Sequence, residues 1–294
     1  MPVNRREFGR SLAGTVASSV VAGVTPPTFA LAATSPFPLS VMLWTVFRDL
    51  PFEQRLEKVA EAGYRAVELV GEFKKWSDTD FRNANRKKRE LGMVFDATSG
   101  INHSLCDPAE RDAFLAEVRA LLPVMEQLEC NRLIILSGNK VPTLSLSDQH
   151  ASCVEGLKRA AEFAAAKNVE LLLENIDPEE NPRYFLTSVT EGFGIVRETS
   201  TPNVKFLYDF FHEQISEGNL IEKLEKSIDQ VGLVHIADVP GRHEPGTGEI
   251  HYPNIYRKLA QLNYSRYAAM EFLPTGDPVT KLREAREQLL KAVA

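Results

Sequence analysis

The stretch Val169-Glu170-Leu171-Leu172-Leu173-Glu174-Asn175 decides how this chain folds. It is a short, nearly unbroken apolar run that ends on a carboxylate and an amide. A strand buried on both faces, as in a parallel sheet covered by helices, needs such near-continuous apolarity. Seven other runs have the same character: Leu39–Trp44, Ala66–Val70, Met93–Ala97, Arg132–Leu136, Val204–Tyr208, Gly232–Ala237 and Tyr267–Phe272.

Helical patterns lie between these runs. Phe52, Leu56, Val59 and Ala60 share one face, and Gly63 marks a stop. Phe114, Val118, Leu121, Leu122 and Met125 recur at helical spacing, with Pro108 near the start. Ser147 is placed to cap a helix carrying Val154, Leu157, Ala161 and Ala164. Pro253 and Asp277-Pro278 open two more, and Pro178 to Leu186 reads as loop. The run Arg86-Lys87-Lys88-Arg89 reads as the solvated face of a helix that ends before Leu91. Strands alternating with helices make a parallel sheet. Over the 294 residues of the chain, a closed α/β TIM barrel, a single (β/α)8 unit over residues 34–294, is the expected fold.

Residues 1–33 are set apart as a cleavable export signal. Arg5-Arg6 followed by Phe8 resembles a twin-arginine export motif, and Leu12 to Val24 is weakly apolar and uncharged. That stretch is too short to span a bilayer, which takes about 20 apolar residues. Pro26 and Pro27 then break it, and Ala30-Leu31-Ala32 offers small residues for cleavage after Ala32 or Ala33. The expected partner is the twin-arginine export machinery and the expected compartment the periplasm, with no stable membrane anchor. Association into a homo-oligomer is left open.

The net charge is −6, and −8 once the +2 of Arg5, Arg6, Arg10 and Glu7 is removed. An acidic chain is a poor nucleic-acid binder, since phosphate contacts need cations. Cys106, Cys130 and Cys153 fall in no CxxC or zinc spacing and read as small buried apolar side chains.

Chemistry in a TIM barrel sits at the C-terminal ends of the strands. Four consecutive runs deliver Glu174, Asp209, His235 and Glu271 to that rim. Three carboxylates brought together repel one another, and a cation removes the cost. Carboxylate oxygens with one imidazole suit Mn²⁺ or Mg²⁺ first, and also Co²⁺ or Zn²⁺, with positions left for substrate.

These residues lie in stretches with a wider likeness: LLLENIDPEENPRYFL from Leu171, FLYDFFHEQISEGNL from Phe206, HIADVPGRHEPGTGEIHY from His235 and AMEFLP from Ala269. The chain resembles the hydroxypyruvate isomerase family, within the xylose-isomerase-like sugar isomerases and epimerases. ADVPGRHEPGTGEI carries most of the resemblance, which extends from about Leu39 to the C-terminus and is weakest in the first half. The resemblance implies metal ligands at Glu174, Asp209, His235 and Glu271, with the two glutamates as the acid/base pair. It implies substrate contacts at Glu180, His212 and Arg242. One departure is His235, where hydroxypyruvate isomerases tend to carry Gln and the broader epimerases His. The export motif is another, since well-known members work in the cytoplasm.

The implied reaction moves a carbonyl between adjacent carbons of a small hydroxy-carbonyl compound, hydroxypyruvate to tartronate semialdehyde. A metal would stabilise the enediolate, and Glu174 and Glu271 would move the proton. His212 is placed to hydrogen-bond a substrate oxygen, and Arg242 to hold a carboxylate through two parallel bonds. The loop Pro240–Gly248 with His243, Glu244 and Glu249 is expected to shape the rim, while Trp44, His103 and Asn175 fall near strand ends. Other readings are a keto-sugar 3-epimerase, a metal-dependent phosphodiesterase and a non-catalytic exported sugar-binding protein. A phosphodiesterase of this barrel type would want more histidines than the six present. Simple sugar binding would not need both glutamates.

Overall fold

The computed structural model describes residues 35–294, so the export segment read from the sequence lies outside the described residues. Among them, eight strands form a closed parallel barrel in chain order. They are β1 (Leu39–Met42), β2 (Ala66–Leu69), β3 (Val94–Thr98), β4 (Arg132–Leu136), β5 (Glu170–Glu174), β6 (Val204–Asp209), β7 (Val231–Ile236) and β8 (Ala268–Met270). β8 closes on β1 through the register Ser40 to Ala269.

The covering helices are α1 (Phe52–Glu61), α2 (Asp78–Glu90), α3 (Arg111–Leu128), α4 (Leu146–Ala165), α5 (Val189–Thr199), α6 (Phe210–Ser216), α7 (Leu220–Ser227), α8 (Tyr252–Gln261) and α9 (Pro278–Val293). Their ends follow from local chemistry. Ser77 and Asp80 form a reciprocal capping box at α2, and Asp277 caps α9. The cap of α4 is Ser145, whose hydroxyl accepts the Asp148 N–H at 3.0 Å. Ser147, the expected cap, falls inside the helix, because only Ser145 stands three residues before a free N–H. After α1 the chain leaves through Gly63 at φ +94°, a left-handed conformation that glycine adopts without strain.

Side chains two apart on a strand share a face. Leu171 and Leu173 therefore pack outward with Leu157 and Phe206 in the core beneath the helices. Leu172 turns inward with Ile134, Leu207 and Leu233, filling the barrel with a solid apolar layer. Each such buried leucine contributes roughly 1.5–3 kcal/mol. All three cysteines are buried. The basic run on α2 is not uniformly solvated: Lys88 is buried, donates to Leu128 O at 3.0 Å and pairs with Glu129 at 2.9 Å. Its ammonium also stands 4.5 Å from the Phe95 ring centre, so the long stem is core and the charge is satisfied. Among the described residues no helix is long and apolar enough to cross a membrane.

Candidate active site

The inward parity of the apolar layer carries straight into the site. Two residues beyond Leu172, Leu207 and Leu233 stand Glu174, Asp209 and His235, so these project into the same end of the barrel. Asp209 and His235 face each other across the β6–β7 ladder, and His235 faces Ala269, two residues before Glu271. All four candidate ligands are buried, and their ligand atoms lie within 4.8 Å of one another.

His235 is the centre of this cluster. Its Nδ1 is 2.6 Å from Glu271 Oε2, 3.4 Å from Glu174 Oε1 and 4.0 Å from Asp209 Oδ2. Yet among the described residues neither His235 Nδ1 nor Glu271 Oε2 makes a hydrogen bond, although both are buried. Buried polar atoms without partners are costly. Lone pairs converging on one point are the arrangement that a divalent cation satisfies, so this donor set fits such an ion. Burial pushes the Glu174 carboxyl above its ordinary range. Burial also acts on Glu271, but the charges of Arg242 and His235 outweigh it and hold that carboxyl well below the usual range.

Asp209 does two jobs. Its Oδ1 accepts the N–H of Phe211 at 2.7 Å and of His212 at 3.4 Å, capping α6. Its Oδ2 faces the cluster. The cap fixes α6 so that His212 enters the site: Nε2 lies 3.4 Å from Asp209 Oδ2 and Nδ1 lies 2.6 Å from Asp177 Oδ2. Burial pulls the His212 imidazole down, and the charge of Asp209 with the bond to Asp177 more than reverses it.

Arg242 reaches in from the loop after β7. Nη2 is 2.7 Å from Glu271 Oε1 and 3.3 Å from Asp209 Oδ2, and Nη1 is 3.0 Å from Glu180 Oε2. The guanidinium lies 4.8 Å from the Phe211 ring centre and 5.7 Å from that of Trp44. Trp44 donates its indole N–H to Glu271 Oε1 at 3.0 Å. The loop is shaped by Asp238, whose buried carboxylate accepts four backbone N–H groups, from Val239, Gly246, Gly248 and Ile250 at 2.8–3.0 Å. A side chain at Gly248 would collide with the Val239 carbonyl.

The structure thus brings together Glu174, Asp209, His235, Glu271, Glu180, His212 and Arg242. Other candidates stay outside. His103 pairs with Glu117 at 3.1 Å, and Asn175 is fully buried on the opposite parity from Glu174. Glu244 bonds Thr275 and Lys281, and His243 bonds Leu273 O, as rim residues do. Sequence reading missed two buried acids. Asp177 holds His212 and also accepts the N–H groups of Glu179 and Glu180, both at 2.9 Å. Glu68, on β2, contacts His235 Nε2 with both oxygens, at 3.2 and 3.1 Å. Strand parity at Glu68 was the only signal available for it.

The model of the xylose isomerase-like TIM barrel family matches residues 56–292. The chain belongs to this family. Among curated members, it is 28% identical to the hydroxypyruvate isomerase of Escherichia coli (strain K12) over 83% of this chain and 96% of that one. It is 28% identical to a 2-oxo-tetronate isomerase of Pectobacterium atrosepticum over 79% of this chain and 90% of the relative. A solved family structure, described as an AP endonuclease, family 2, from Brucella melitensis, superposes with a TM-score of 0.78 at 26% identity, covering 85% of this chain and 98% of that one.

Proposed function

We propose that this chain is a metal-dependent isomerase of a small hydroxy-carbonyl acid, interconverting hydroxypyruvate and tartronate semialdehyde. The observation that carries the reading is the convergence of Glu174, Asp209, His235 and Glu271 on one point, with the Arg242 guanidinium beside it. The relatives named as hydroxypyruvate isomerase and 2-oxo-tetronate isomerase support the same class.

The four ligands would hold the ion, Mn²⁺ or Mg²⁺ first and Co²⁺ or Zn²⁺ also suited. When bound it supplies Lewis-acid polarisation of the carbonyl and stabilises negative charge on the neighbouring oxygens. Glu174 and Glu271 reach the centre from different strands, so they can address the two adjacent substrate carbons. One glutamate takes a proton from C3, the C3 hydroxyl proton passes to the C2 oxygen, and a proton returns to C2. Substrate and product are isomers, and no electrons leave the pair. His212 Nε2 is placed to bond a substrate oxygen, with Glu180 at the outer edge of the same pocket. Arg242 pairs with the substrate carboxylate, exchanging it for part of its present contact with Glu180 and Asp209.

A second reading, a keto-sugar 3-epimerase, is favoured by His235 where the resemblance places Gln in hydroxypyruvate isomerases. Incubating the protein and Mn²⁺ with hydroxypyruvate, tartronate semialdehyde and a set of keto-sugars separates the two. Conversion of the three-carbon acids supports the isomerase, inversion at a sugar C3 supports the epimerase, and turnover of neither refutes both.

Residues 1–33 are proposed to deliver the folded barrel to the periplasm by the twin-arginine route, on the strength of Arg5, Arg6 and the Ala30–Ala32 cleavage pattern. Changing Arg5 and Arg6 to Lys should retain the protein in the cytoplasm. Normal delivery of that variant would refute the address.

A further inference from the structure

We infer that Glu68 is a positioning residue that fixes the tautomer of His235 and thereby makes Nδ1 the atom that takes the metal. The inference rests on the metal centre proposed above and goes beyond the ligand set to a residue outside it.

Glu68 is fully buried on the second strand, across the barrel from His235 on the seventh. Both of its oxygens address one atom, His235 Nε2, at 3.2 and 3.1 Å. Metal ligation needs a neutral imidazole, and for a neutral ring two arrangements of the protons are conceivable. If a neutral Glu68 carboxyl donated to Nε2, the ring proton would sit on Nδ1. That N–H would then be a buried donor, and Nδ1 makes no hydrogen bond to any of the three carboxylates around it. If instead Glu68 accepts, the proton sits on Nε2 and Nδ1 presents its lone pair to the centre of the cluster. Only the second arrangement leaves no buried N–H unsatisfied. It also explains why Nδ1 and Glu271 Oε2 stand 2.6 Å apart without bonding, since both aim lone pairs at the same point.

A carboxylate behind a ligating imidazole orients the ring and raises its basicity. Here no other hydrogen bond holds the ring, because the described contacts of Nε2 are to Glu68 alone. Glu68 therefore has a role distinct from that of the other acids in the barrel mouth. It is not a ligand, and it acts on the ion only through His235.

The experiment measures Mn²⁺ affinity of the metal-stripped protein and its Glu68→Ala and Glu68→Gln variants. It adds ¹⁵N NMR of the histidine rings in the Zn²⁺-loaded wild type. The Glu68→Ala variant should bind Mn²⁺ about 10- to 100-fold more weakly. The Glu68→Gln variant should lose less, since its amide oxygen still accepts the Nε2 proton. The wild-type spectrum should show His235 protonated on Nε2 and metallated on Nδ1, a signature that mere packing at Glu68 would not produce. Unchanged affinity in a folded Glu68→Ala variant, or an Nδ1-protonated His235 in the wild type, would overturn the inference. The wild-type spectrum decides even if the alanine variant does not fold. None of these readouts uses substrate, so a protein that binds metal in this way yet isomerises nothing refutes the proposed reaction alone. A wild type that takes up neither ion refutes both.

Discussion

Asp177 Oδ2 and His212 Nδ1 meet at 2.6 Å, with each side chain only 1% exposed. The contact ties the loop after the fifth strand to the first turn of the helix that Asp209 caps. It turns His212 Nε2 toward Asp209 and Arg242, where a substrate oxygen would lie. Asp177→Asn keeps the size of the side chain but removes its charge and offers the ring a choice of donor or acceptor. The variant should lose about 10- to 100-fold in kcat/KM, the equivalent of one misassigned buried hydrogen bond. Its Mn²⁺ uptake should stay that of the wild type. Wild-type turnover by this variant would remove Asp177 from the account.

In the proposed reaction, Arg242 would separate substrates by charge. Its guanidinium is buried among acids, and a substrate carboxylate would join them as a planar two-point partner. Lysine offers a point charge in place of that fork. Arg242→Lys should therefore cost at least about tenfold in kcat/KM on hydroxypyruvate. It should cost much less on an uncharged hydroxy-ketone of the same length. Equal losses on both substrates would show that Arg242 serves the acids of the site rather than the substrate.

Binding a cation to the buried cluster should stabilise the fold. At a free Mn²⁺ concentration about 100 times Kd, the gain is about 2.7 kcal/mol. For a chain of this size that raises the thermal midpoint by roughly 5–10 °C. Glu271→Gln should abolish most of the rise. The midpoint can be followed by calorimetry with Mn²⁺ and with a chelator, and equal values in the two conditions would contradict the metal site.

A pH effect unrelated to the site is expected at His150. Its ring spans α4 and α5, with Nδ1 2.6 Å from Glu191 and Nε2 3.1 Å from Glu198. Burial lowers the imidazole, and the two carboxylates reverse this, so its pKa in the fold lies above the ordinary value. A raised value means the clamp contributes fully below the unfolded value of about 6.5 and fades as pH climbs through the folded one. The thermal midpoint of His150→Asn should trail the wild type at about pH 5.5 and match it once the imidazole is neutral. A gap that widens with rising pH would reverse the sign of this argument.

The clustering of the candidate ligands was legible in the sequence because strand parity is rigid. Once Leu172, Leu207 and Leu233 point inward, the residues two further on must do so as well. The contact of Glu68 with His235 was not legible, because 167 residues separate them and only closure of the barrel joins them. Asp177 stood in a Pro-rich loop where acids commonly serve turns, and it does that too. The short α6 escaped notice because its cap, Asp209, is also a strand end and a candidate ligand. Lys88 shows the limit of reading charge runs as solvated faces: three of four neighbours can face water or exposed acids while one turns inward. The first strand's ladder ends at Met42, ahead of the apolar Leu43-Trp44, because the chain turns there and sets Trp44 against Glu271.

The central claim is that this barrel moves a proton between adjacent carbons of a hydroxy-carbonyl acid at its four-ligand centre. The most direct test is deuterium uptake from heavy water into hydroxypyruvate, followed by proton NMR with the Mn²⁺-loaded protein and with Glu271→Gln. The account predicts loss of the C3 proton signal and appearance of tartronate semialdehyde with the wild type, and neither with a chelator or with the variant. Exchange that persists in the chelated protein or in Glu271→Gln, or no exchange with the loaded wild type, would contradict it.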